Sequence, residues 1–345
     1  MVKTIFTLLV FAAAGWALSS DETSSMSYSQ DVNLFLSSGM AGAEIFQSEG
    51  SALASSVFPP DPVSLPIIRA EVQEVSLILT VTDRHGHFVR NLMPSDFTIH
   101  DNGEQPEKVT NFESQSELPL RLAIVIDRSD SAAYALSQQK RSAAAFLKRI
   151  LRRDSDLGLI IGFNQDVQLV QEPANDAELL SHAIQTLRSG GETAIYDAVA
   201  AACQQLAKVR DTQPVRRVII LMTDGEDNRS HIDLEQAEEV AQRNECVVYV
   251  INISYLMSIN AGIDSELQQA DRAMKELSEV TGGNFLRVRA EGLSTSFVNI
   301  EKELRSQYLI SYKPAHVRPD GSFHRLVVLG PKKLRIHHRD GYFAR

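Results

Sequence analysis

The polar side chains that could do chemistry fall in three short segments. They are Asp127-Arg128-Ser129-Asp130-Ser131, Ser189-Gly190-Gly191-Glu192-Thr193 and Thr223-Asp224-Gly225-Glu226-Asp227. Asp127 and Asp224 supply negative charge; Ser129, Ser131 and Thr193 supply neutral hydroxyl oxygens. Such donors suit a hard divalent cation. Mg²⁺ takes about six oxygens at roughly 2.0–2.1 Å and keeps several waters. Two carboxylates nearly balance its charge, which leaves an appetite for one more anionic oxygen from outside. That chemistry makes a docking point for a partner's Asp or Glu. Asp130, Glu192 and Glu226 lie beside these donors and are candidates to stand behind them. The plainer reading of Glu192 and Glu226 is solvated loop acids. The competing use, metal-assisted hydrolysis, lacks a His near the segments to act as base. G-x-S-x-G, H-E-x-x-H and P-loop motifs are also missing from the sequence.

Segments so far apart need a scaffold that brings them together. Apolar runs at 121–126, 157–163, 167–170, 217–222 and 247–253 read as strands. Helical spacing covers 137–151, 176–187, 194–209, 233–243 and 264–280, the last stopped by Gly282-Gly283. A short strand follows at 285–287. Near-continuous apolar strands alternating with amphipathic helices predict an α/β fold: a doubly wound, mostly parallel sheet covered on both faces. Ligands bind such sheets at the carboxyl ends of their strands, and the three polar segments lie there. Flanking pieces are all β: 75–82, 96–100 and 109–112 before the α/β region, and 307–312, 323–329 and 334–338 after it. Neither set has a full core of its own, so the two are expected to pair into one β-sandwich with the α/β domain inserted. The expected organisation is 1–19, 20–67, 68–116, 117–305 and 306–345.

The split motif Asp127-x-Ser129-x-Ser131, then Thr193, then Asp224 resembles the metal-ion-dependent adhesion site of the von Willebrand factor A (VWFA) domain. Many members carry Gly where this chain has Asp130. That position is not a ligand and integrin-type members also lack Gly there, so the site is retained. Asp130 adds charge that bears on the choice among Mg²⁺, Mn²⁺ and Ca²⁺. Asp96-Phe97-Thr98-Ile99, Asp101-Asn102-Gly103, Leu304-Arg305-Ser306-Gln307-Tyr308, Asp320-Gly321-Ser322-Phe323 and Arg339-Asp340-Gly341-Tyr342-Phe343 resemble the secreted VWFA-related family abundant in acidobacteria. That extends the match over about 70–345. The resemblance implies a VWFA domain at 117–305 and a non-enzymatic adhesion or protein-binding role. Asp127, Ser129, Ser131, Thr193 and Asp224 would hold the cation that grips a partner carboxylate. An envelope assembly protein using the domain as a scaffold is the alternative.

The setting is read from the N-terminus and the composition. Lys3 precedes an apolar run over 5–18, and Ala17-Leu18-Ser19 offers a cleavage site, the pattern of a secretory signal peptide over 1–19. Residues 20–67 are rich in Ser, Ala, Gly and acids and read as a flexible leader. The protein is therefore expected to be exported, secreted or in the periplasm or envelope, with no membrane span after cleavage. Lys and Arg total 34 against 44 Asp and Glu, a formal net charge of −10. That balance excludes a general nucleic-acid binder, which needs a basic face. Cys203 and Cys246 are too few for a disulfide framework; a pair of buried thiols fits better than a bridge. His85 and His87, in a turn, read as surface residues.

Overall fold

The structure, a computed structural model, describes residues 74–114, 117–253, 265–316 and 319–344. The expected signal peptide and leader lie outside them. β1 (Val75–Thr82), β2 (Thr98–Asp101) and β3 (Lys108–Ser114) come first. The α/β region follows: β4 (Leu120–Asp127), α1 (Leu136–Ile150), β5 (Leu157–Phe163), β6 (Val167–Ala174), α2 (Ala177–Thr186), α3 (Ile195–Lys208), β7 (Arg216–Thr223), α4 (Leu234–Arg243), β8 (Cys246–Asn252), α5 (Ser265–Val280), β9 (Phe285–Arg287) and α6 (Leu293–Leu304). β10 (Tyr308–Lys313), β11 (Phe323–Leu329), β12 (Arg335–His338) and β13 (Gly341–Phe343) close the chain's described part.

The large sheet runs β6-β5-β4-β7-β8-β9. All its pairs are parallel except the β5–β6 hairpin at one edge. β4 shows why its strands lack polar positions. Leu122, Ile124 and Ile126 face a core built with Phe146 and Phe297 of α1 and α6. Ala123 and Val125 face the opposite core, with Val199 of α3 and Met274 of α5. Both faces are covered, so both alternations must be apolar. Cys203 and Cys246 are free, buried thiols of the second core. Burial, with the Cys246 thiol beside it, pushes the Cys203 thiol well up. Gly282 ends α5 at φ +80°, and the Gly283 N–H donates to Ser278 O at 2.8 Å, the left-handed cap the double glycine predicts.

β6 runs four residues beyond the apolar 167–170 stretch, to Ala174, through Pro173. Its half-buried edge position explains the weak pattern, since an edge strand tolerates a missing ladder donor. The chain leaves β4 towards β5 on one side and adds β7 on the other. The switch point therefore opens between the carboxyl ends of β4 and β7.

The flanking strands form two antiparallel sheets, β12-β1-β10-β3 and β13-β11-β2. Each mixes strands from before and after the α/β region. β1 pairs β10 and β12, and β2 pairs β11. Their shared core gathers Leu77, Leu79, Ile99, Tyr308, Tyr312 and Tyr342. The Tyr308 hydroxyl donates to Val89 O at 2.9 Å and accepts from Leu92 N at 3.1 Å, so its polar end is satisfied at the sandwich margin.

Candidate metal centre

Asp127 is the last residue of β4 and is fully buried. Its Oδ1 accepts Ser129 N–H at 2.8 Å, and its Oδ2 accepts the Thr223 hydroxyl at 2.7 Å. Burial pushes its carboxyl up to about 6, and the charge of Asp224 adds to that push. The Ser129 and Thr223 hydrogen bonds pull the other way. The turn after Asp127 brings Ser129 Oγ and Ser131 Oγ to 3.1 Å from each other. Ser129 is buried and Ser131 exposed, so the hydroxyl pair runs from floor to mouth.

Asp224 begins the loop after β7. Its Oδ1 is buried and has no hydrogen-bond partner among the described residues. A buried carboxylate oxygen without a donor costs more than a made hydrogen bond returns. A second carboxylate that raises the pKa of its neighbour makes the arrangement worse without a cation. The residues therefore fit a divalent ion: two acids in electrostatic contact, one oxygen lacking a donor, and hydroxyls beside them. Among the described residues no group of three or more His, Cys, Asp or Glu is placed to hold a metal. A cation held here would have two acids and would depend on hydroxyls for the rest.

Thr193 is buried just before α3. Its N–H donates to Asn228 Oδ1 at 3.0 Å, and its carbonyl accepts from the backbone N–H groups of Asn228 and Arg229. The loop carrying Asp224 thus wraps the start of α3. Ala194 precedes that helix and offers no side-chain cap. Asp227 Oδ2 supplies one instead, accepting from Ile195 N at 2.7 Å and Tyr196 N at 3.2 Å, while Ser230 Oγ accepts from Asp197 N. Asp197 in turn accepts from the backbone of His231 and Ile232 and bonds His231 Nδ1 at 2.7 Å. Burial works against its charge, but these partners outweigh it and hold the carboxyl below its ordinary value.

The second loop is tied to the first by backbone bonds: Asp130 N–H to Gly191 O at 2.9 Å and Gly190 N–H to Arg128 O at 2.8 Å. Gly191 adopts φ +91°, and a Cβ there would lie 1.8 Å from Gln165 Oε1. A side chain at 191 would break that close approach. The structure thus gathers Asp127, Ser129, Ser131 and Asp224 at one crevice and fixes Thr193 by its backbone to the Asp224 loop. Asp130 and Glu226 are exposed. Glu192 forms an ion pair with Arg229. Sequence reasoning quoted Thr223 and Asp227 in their segment without giving them a role, and it missed Asn228. His85 and His87 are exposed, with His87 3.2 Å from Asp83.

An open α/β sheet with acids and hydroxyls at its switch point is a ligand-binding class of fold. Residues 122–299 match the family model described as von Willebrand factor type A domain, just over half of the chain's 345 residues. The chain belongs to that family. No curated protein matches it. Solved structures similar to it include an aerotolerance-related membrane protein from Bacteroides fragilis, with 18% identity, 54% of this chain and 98% of that chain covered, and a TM-score of 0.43. Another is the von Willebrand factor domain of the type V pili tip protein Mfa5 from Porphyromonas gingivalis, with 14% identity, 54% and 94% coverage and a TM-score of 0.44. A third is von Willebrand factor type A from Catenulispora acidiphila, with 14% identity, 72% and 73% coverage and a TM-score of 0.44. Among the described residues no helix is long and apolar enough to cross a membrane.

Proposed function

We propose that this chain is an exported, non-enzymatic binding protein that grips a carboxylate of a protein partner through a divalent cation. Asp127, Ser129, Ser131, Thr193 and Asp224 would hold the ion, Mg²⁺ by preference with Mn²⁺ or Ca²⁺ as substitutes. When bound, the cation supplies a Lewis-acidic position for an anionic oxygen from outside. The chain's own residues do the rest. Thr223 and the Ser129 N–H orient Asp127. Asp227 and Asn228 set the loop that presents Thr193 and Asp224. The observation that carries this reading is the buried Asp224 Oδ1, which has no donor among the described residues, beside a carboxyl raised to about 6. Export rests on Lys3 and the apolar run that follows it.

Calorimetric titration of Mn²⁺ into the chelator-stripped full chain tests the site. The expected result is one site per chain, lost in Asp127→Ala. Equal binding by wild type and variant would overturn the assignment.

A further inference from the structure

β4 and β7 start, at Leu120 and Arg216, on the sheet edge opposite the metal crevice. A cleft of about 450 Å³ opens there, within the roughly 300–1,000 Å³ range of small-molecule sites. Five cationic side chains from four separate segments line it. Arg90 comes from the β1–β2 connection, Arg152 from the turn after α1, Arg216 from β7, and Lys302 and Arg305 from the end of α6. Their convergence differs from a solvated row of lysines on one helix, and it occurs in a chain of net charge −10.

Three acids share the lining, and each pairs with a lining arginine: Asp156 and Glu117 with Arg152, and Glu301 with Arg305, so these two arginines are partly neutralised. Asp156 accepts from Leu120 N at 2.9 Å, Arg152 N at 2.9 Å and Arg152 Nε at 3.1 Å. Glu301 is divided between Arg149 and Arg305. Glu117 is 90% exposed and reaches Arg152 at 3.5 Å. Arg90 directs Nε and Nη2 at one neutral acceptor, Ser306 Oγ, at 3.0 and 2.7 Å. Among the described residues neither Arg90 nor Lys302 has a carboxylate within ion-pair distance. Arg216 is 5% exposed, with Nη1 donating to Leu304 O at 2.6 Å. Burial pushes its guanidinium down to about 10, and the like charge of Arg152 adds to that. An anion entering the cleft would find Arg90 and Lys302 without a carboxylate among the described residues, and a lining in which five cations outnumber three acids.

We propose that this cleft binds a phosphate group, held by Arg90 and Lys302, with Arg152, Arg216 and Arg305 adding positive charge around it. A phosphate dianion accepts from several directions and suits guanidinium forks. It would offer Arg90 a charged acceptor in place of the Ser306 hydroxyl, and charge-assisted hydrogen bonds are about twice as strong as neutral ones. The group could arrive on a soluble phosphate ester or on a lipid headgroup.

The test titrates inorganic pyrophosphate into the metal-free full chain at low salt, with sedimentation on phosphatidic acid vesicles as a second arm. The metal crevice is silent under these conditions, so the outcome is independent of the adhesion reading. The expected result is saturable pyrophosphate binding, weakened about tenfold or more in the Arg90→Gln, Lys302→Gln double variant and unchanged in Asp127→Ala. Binding to vesicles alone, lost in the double variant, would assign the phosphate to a headgroup. Binding in neither arm, binding that survives the double variant, or binding lost in Asp127→Ala would overturn the proposal.

Discussion

Two regions of the molecule bury aspartates, and they treat them in opposite ways. In the sandwich, Asp101 is 6% exposed and surrounded by partners. Its Oδ1 lies 2.7 Å from His324 Nδ1, and its Oδ2 accepts the hydroxyls of Tyr312 at 3.0 Å and Tyr342 at 2.7 Å. Burial and the Asp101 charge push both tyrosines well up, so they stay protonated as donors. At the candidate metal centre Asp127 is driven up to about 6, and Asp224 keeps an oxygen with no donor among the described residues. A buried acid whose acceptors are filled by its own fold is part of the structure. A buried acid left short of donors, beside a second acid and two hydroxyls, is what the proposed cation would complete.

The comparison is broken most severely by removing the satisfied acid. Asp101→Ala leaves His324 and two tyrosine hydroxyls without their acceptor. Losing one partner of such a buried charged cluster costs about 3–5 kcal/mol. Urea unfolding should show that loss equally with and without metal. A metal-dependent loss would mean that the sandwich acid belongs to the site.

pH sharpens the contrast. A carboxyl whose folded pKa exceeds its unfolded value binds its proton more tightly in the native state. Asp127, raised from 3.8 to about 6, therefore destabilises the metal-free protein once ionised. Stability should fall as pH rises from about 4 to 6, by about 3 kcal/mol from this group alone. Asp127→Asn should flatten that part of the profile. With saturating Mg²⁺ the fall should disappear, because the cation competes with the proton. An unchanged slope in the variant would remove Asp127 as its source.

The smallest effect concerns the loop. Asp227→Ala removes the acceptor of Ile195 and Tyr196 N–H, a cap worth about 1 kcal/mol, up to roughly 2. Because the same loop carries Asp224, Mn²⁺ affinity should fall too. A stability loss with intact affinity would separate the helix cap from the site.

The fold was legible because its signals are local. Strand apolarity, helix period and the Asp127-x-Ser129-x-Ser131 spacing each sit within one element. The placement of the polar segments at the carboxyl ends of the strands then follows from chain direction, whereas the strand order comes from the structure. The missed parts are pairings across the chain. Asp227 caps a helix that begins 32 residues earlier. His324 meets Asp101 across 223 residues. The cationic cleft draws Arg90 and Arg216 from different layers. No periodicity records which distant loop supplies a missing cap or which arginines converge.

The central claim is that Asp224 is kept for a cation at the expense of the metal-free fold. Thermal unfolding of wild type and Asp224→Asn, each in chelator and then in Mg²⁺ or Mn²⁺, tests it directly. In chelator the variant should melt above wild type, because it removes a donorless charge and relieves Asp127. In metal the order should reverse. Wild type gains RT ln(1 + [L]/Kd), about 2.7 kcal/mol at a hundredfold excess over Kd, and the variant gains little. A variant that melts lower in chelator and rises with metal as far as wild type would contradict the account.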